Sequence, residues 1–151
     1  MKLLKDMLQT EGIFLKMNNL KFRAWDKKLQ ILGTVSYIDF DSKKIIYRNN
    51  FVGYYAKFED VEIMQSTGYK DRKGTEIFIG DIVKIYVEDR EEHKVYYSLC
   101  KVVFDEETST TKLEIIERFC DMLMPVKYLF LKNVEDIVIA GNIYENKELL
   151  R

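Results

Sequence analysis

Residues 67–86 read TGYKDRKGTEIFIGDIVKIY, and the fold turns on how that stretch is divided. Asp71 stands three residues before Gly74. An Asp at the first turn position and a Gly where positive φ is wanted predict a type I turn followed by a bulge. Two β-rich runs follow, with Ile77 and Ile79 before a break and Ile82, Val83 and Ile85 after it. The break is Gly80-Asp81, which reads as a corner: glycine supplies the unusual backbone angle and aspartate caps the turn. Asp71, Gly74, Gly80 and Asp81 are therefore expected to be framework.

Outward from this stretch the same period-two pattern recurs. Upstream, LKFRAW (20–25) alternates, DKK (26–28) is a turn, and LQIL and TVSYIDF are strands broken at Gly33. DSKK (41–44) is a turn, IIY (45–47) a strand, NNFVGYY a loop, and VEIMQS (61–66) a strand with Val61, Ile63 and Gln65 on one side. Downstream, EDREEH is a solvated loop, KVYYSLCKVVF a long strand, DEETSTTK a hairpin connection and LEII the return strand. ERFCDMLM is left open between helix and loop ahead of Pro125; KYLFL is a strand. VEDIVIAGNIYEN gives the last strand and a Gly141-Asn142 turn, and ENKELL a final helical turn. Many short strands with turn signals indicate a mainly β antiparallel barrel or sandwich. Leu3, Leu4, Met7 and Leu8 fall at helical spacing. Residues 1–17 thus read as a short helical extension, with Met17 as an alternative start, ahead of a β-rich domain over 18–151.

The chain has 151 residues, 47% hydrophobic and 32% charged, which fits one folded domain with a core rather than disorder. Net charge is −1, so the total offers nothing in favour of nucleic acid. Residues 1–50, however, hold ten Lys and Arg against five Asp and Glu. Two cysteines outside any metal-like spacing suggest a reducing compartment. No stretch approaches the ~20 apolar residues of a membrane span, and the opening MKLLKDMLQTEG is too interrupted for a signal peptide. A cytoplasmic protein that does not engage a membrane is expected.

The catalytic inventory is thin. His93 is the only histidine and lies in a charged loop; the thiols are Cys100 and Cys120. A Cys–His enzyme would need His93 brought to one of them. No phosphate-cradling glycine loop, nucleophile elbow or metal spacing is present, so neither cofactor nor metal is expected. Asp39 and Asp41 flank Phe40 as turn residues rather than ion ligands. The clearest binding signal is Lys21, Arg23 and Trp25 on one strand face, with Lys27 and Lys28 in the turn. Charges on phosphates and a ring on a base would hold single-stranded nucleic acid. The preferred reading packs Trp25 inward, because tryptophan is usually largely buried, and leaves the lysines to water.

Three motifs in order, LKFRAWDKK, MQSTGYKDRKGTEIFIGDIVKI and IAGNIYENKELL, resemble the YopX family, found mostly in phage and prophage genomes. The resemblance runs from Asn18 to Leu150. It implies a small Src-homology-like β-barrel with extra strands, and an uncharacterised function with no catalytic residues to carry over. The family pattern usually has Tyr-Glu-Gly-Asp where this chain has Phe78, Ile79, Gly80 and Asp81. The missing acid at 79 argues against a chemically required carboxylate there. The expectation is a non-enzymatic phage or prophage accessory protein that binds a host or phage protein. It would self-associate through its N-terminal helix or an exposed strand edge. Single-stranded nucleic-acid binding and a Cys/His enzyme are the alternatives.

Overall fold

The computed structural model describes residues 20–89, 94–118, 128–130 and 136–151. The expected helix over 1–17 and the residues His93, Cys120 and Pro125 lie outside them. The chain divides into two compact units, one ending at Gln65 and the other beginning at Ser66.

In the first unit, alternation and hairpin turns build one antiparallel sheet. Its strands are β1 (Phe22–Asp26), β2 (Ile31–Asp39), β3 (Lys44–Asn49), β4 (Val52–Lys57) and the first half of β5 (Val61–Lys70). The order is β4-β3-β2-β1-β5. Tight turns form where a residue tolerates positive φ: Gln30, Lys43 and Asn50 all lie near +55° (56°, 53° and 54°). The inward residues Ala24, Ile45, Tyr47, Ala56 and Val61 make the core, with Val35, Ile38 and Tyr54 packed against it. Tyr47 and Tyr54 stack with centroids 5.3 Å apart.

Two sequence expectations are corrected here. Gly33 does not break a strand; β2 runs through it. A Cβ at Gly33 would lie 2.4 Å from Tyr47 Cδ2 and 2.7 Å from the Arg48 carbonyl oxygen, so the glycine permits close approach of strand β3. FVGYY is not a loop: pairing of Asn49 with Val52 leaves only Asn50 and Phe51 to turn, and the rest is β4. In β5, both Val61 and Met64 are buried; three residues apart on a strand, they point to opposite faces, so this strand is covered on both sides.

In the second unit, the remainder of β5 pairs with β6 (Glu76–Phe78). A five-stranded antiparallel sheet follows: β7 (Asp81–Asp89), β8 (Lys94–Asp105), β9 (Thr110–Arg118), β10 (Tyr128–Phe130) and β11 (Ile137–Asn142), ordered β10-β9-β8-β7-β11. Ile77, Val83, Ile85, Cys100, Val102, Leu113 and Ile137 form its core. Burying each large aliphatic among them is worth about 1.5–3 kcal/mol. A 3-10 turn, Lys147–Leu150, ends the chain.

The protein is mainly β, in two antiparallel sheets with almost no helix. The expected barrel is not seen: among the described residues neither sheet closes on itself. Gly141 and Asn142 end β11, beside a bulge at Ala140, and Asn142 opens the turn that follows at 143–145.

Candidate functional site

The corner residues Asp71 and Asp81 have buried carboxylates. Asp71 Oδ1 accepts hydrogen bonds from the main-chain N–H groups of Lys73 (2.9 Å) and Thr75 (2.8 Å). Its Oδ2 accepts from the N–H of Ile139 (3.3 Å) on β11. Gly74 turns the chain with φ +83°. Burial pushes the Asp71 carboxyl up, but the three N–H donors outweigh it and hold it below the usual carboxylate range. Asp81 Oδ2 accepts from the Phe78 N–H at 2.8 Å, across Gly80 at φ +89°. Gly80 in turn donates to the Val102 carbonyl (2.8 Å) and accepts from the Ile143 N–H (3.0 Å). Asn142 Oδ1 accepts from the N–H groups of Tyr144 and Glu145, both at 3.0 Å.

The fourth buried polar residue of this kind, Asp26, closes the first hairpin. Its Oδ1 accepts from the N–H groups of Lys28 and Leu29, and its Oδ2 from the Tyr47 hydroxyl at 2.7 Å. In every case the carboxylate or amide oxygen faces main-chain N–H groups, which is the chemistry of a cap. Asp39 does the same at the surface, accepting from the N–H groups of Asp41 and Ser42. Cys100 is buried, and burial pushes its thiol up to about 12, away from the thiolate a nucleophile needs. Among the described residues no three His, Cys, Asp or Glu are grouped to hold a metal ion, and no helix is long and apolar enough to cross a membrane.

The strand face read from the sequence is not assembled for stacking. Trp25 is only 7% exposed, so its ring is not presented to a base. Arg23 is half-buried and its Nε donates to Met64 Sδ (3.5 Å). Lys27 pairs with Glu62 and Lys28 with Asp60, each at 2.8 Å. Lys21 is exposed.

A different surface of the first unit carries exposed rings. Tyr37 pairs with Ile46 across β2 and β3, and Ile46 with Tyr55 across β3 and β4. The three side chains therefore form a row over three strands, 58%, 41% and 61% exposed. The bulge at Ser36 produces this row. Counting by twos from inward Val35 would turn Tyr37 inward and Ile38 outward; the extra residue reverses both. The next row on the same face is Asp39, Lys44 and Lys57. On the other side of the rings lies Arg48, exposed and paired with Thr34 and Gly53. The Lys44 ammonium lies 5.4 Å from the Tyr55 ring centroid. Tyr37, Ile46 and Tyr55 line a shallow depression with Asp39, Ser42 and Lys44. A second depression shares Ser42 and Lys44 and extends to Lys43 and Lys57. The sequence signal for this surface, Tyr37 and Tyr55 near a lysine-rich turn, was masked by the bulge and by the loop-like look of FVGYY.

Two open antiparallel sheets, with marked residues that shape the backbone, define an all-β class of domain. The chain belongs to the YopX protein family, which it matches over residues 21–151. It is similar to protein EF1440 from Enterococcus faecalis, whose crystal structure aligns with a TM-score of 0.53 at 27% identity. That alignment covers 87% of this chain and 98% of that one. No curated protein matches it.

Proposed function

We propose that the protein is a non-enzymatic binding module, an accessory protein of phage or prophage origin working in the host cytoplasm. The observation that carries this reading is the exposed row Tyr37, Ile46 and Tyr55, an apolar band on a regular sheet flanked by Lys44, Arg48 and Lys57. Large apolar side chains aligned on one face cost solubility unless a partner covers them. The buried carboxylates support the same reading, since they hold turns rather than reacting groups.

The test is capture from host cells with the wild-type chain and with Tyr55→Glu, each with and without nuclease. Partners held by the wild type and lost by the variant support the reading. Identical partners for both proteins overturn this face as the binding surface.

Self-association is a second reading, favoured by β4. Among the described residues it pairs only with β3, which leaves its other edge unpaired, and its Val52 and Tyr55 side chains are exposed. A concentration-dependent sedimentation coefficient abolished by a proline at Tyr55 would support it; a monomer at all concentrations would rule it out.

A further inference from the structure

We infer that the Tyr37–Ile46–Tyr55 face binds single-stranded nucleic acid, its rings stacking on bases and its flanking cations meeting phosphates. This inference rests on the binding-module reading and names the ligand class of that same face.

Ring geometry is the first argument. Neighbouring strands lie about 4.8 Å apart, so Tyr37 on β2 and Tyr55 on β4 stand about 10 Å apart with Ile46 between them. Both rings are more than half exposed, the Lys44 ammonium lies at the Tyr55 ring where a phosphate of a stacked base would meet it, and Ile46 gives an apolar floor to the segment joining them. Stacking does not depend on sequence, because every base offers a π-face.

Charge is the second. Lys44 and Lys57 on one side and Arg48 on the other flank the rings, against Asp39, while Lys43 and Glu59 line the neighbouring depression. The Lys57–Glu59 pair, at 3.4 Å, has both side chains mostly in water. Such a pair is worth little and yields readily to a phosphate. Lys44 remains charged: the hydrogen bond with the Tyr55 hydroxyl and the Asp39 carboxylate favour its ammonium form. The surplus of cations over carboxylates at the rings is local and sits on a chain whose net charge is −1.

Size is the third argument, and it decides against a protein partner on this patch alone. A stable protein interface uses about 20–30 residues a side. Three aligned apolar side chains fall far short of that. One ring per base is, by contrast, the working unit of a single-strand platform. Duplex is disfavoured because paired bases do not offer their faces to a flat sheet.

The experiment is fluorescence anisotropy of labelled dT20, rU20 and a 20-base-pair duplex with the full chain, at 50 and 200 mM salt. Binding to at least one single strand, and not to duplex, is expected. With three cations on phosphates, the log–log salt slope should be about −2. Tyr37→Ala and Tyr55→Ala should each weaken binding about five- to hundredfold, while Tyr→Phe at either position keeps it, since the stack is retained. Arg48→Gln should flatten the salt slope by about 0.7. The dT20 and rU20 arms show whether the sugar is discriminated. Thermal melts confirm that each variant is folded, and both tyrosines are exposed, so folding is not at stake. Absence of single-strand binding at 50 mM salt, or binding unchanged in both alanine variants, overturns the inference. If nucleic acid fails but Tyr55→Glu still loses a protein in the capture experiment, the binding-module reading stands and only its ligand is wrong.

Discussion

The hydroxyl of Tyr47 and the carboxylate of Asp26 meet 2.7 Å apart inside the first unit, both side chains removed from water. Burial raises the Asp26 pKa, but the N–H groups of Leu29 and Lys28 and the Tyr47 hydroxyl together bring it below the ordinary range. Burial and the adjacent carboxylate push the Tyr47 pKa upward, so the phenol stays protonated and donates. Tyr47→Phe should therefore cost about 1.5–3 kcal/mol in urea unfolding, the value of a hydrogen bond to a charged group. Gly33→Ala tests a separate constraint at the same ring. Its new methyl meets both Tyr47 and the Arg48 backbone, and backbone does not move aside as a side-chain tip does. A loss of about 1–3 kcal/mol is expected from such overpacking, and an unchanged midpoint would show that β2 and β3 have room to separate.

At the scale of elements, the strand β2 shows how far a pattern carries. The alternation in TVSYIDF signals a strand, and a strand is there. Which face Tyr37 occupies is not in the pattern, because one bulged residue changes the count for everything beyond it. Deleting Ser36 should remove the bulge while keeping Val35 and Ile38 inward and Tyr37 outward, since Val35 already faces Tyr47 and Tyr37 already faces Ile46. The deletion variant is expected to fold and to melt within a few degrees of the wild type. Deleting Ile46 from the bulge-free strand β3 should instead drive Tyr47 to the wrong face and abolish the cooperative transition. Asp71 and Gly74 were legible as turn residues because turn chemistry is local. That Asp71 also reaches the Ile139 N–H, 68 positions away, was not.

The whole molecule should carry these carboxylates into its response to acid. Asp26 and Asp71 have lowered pKa values in the folded protein, and Asp105, paired with Lys112 and Thr108, is lowered to about 2. Lowered folded values mean that these groups stabilise the fold fully above the unfolded value of about 3.9 and lose that contribution as pH falls through the folded values. Stability from them should be flat between about pH 5 and 8 and should drop below about pH 4. Asp71→Asn should be less stable at neutral pH and lose less on acidification. A wild-type profile with no loss between pH 4 and 2 would refute the assignment. Composition, periodicity and turn residues alone determined that this chain is a β protein with a caps-and-corners framework, because alternation and turn geometry are properties of neighbours along the chain. Tertiary structure decided that FVGYY pairs as a strand and that Tyr37 and Tyr55 share an open face. Those outcomes depend on cross-strand register and on a bulge, and both are set by packing between segments that no local reading compares.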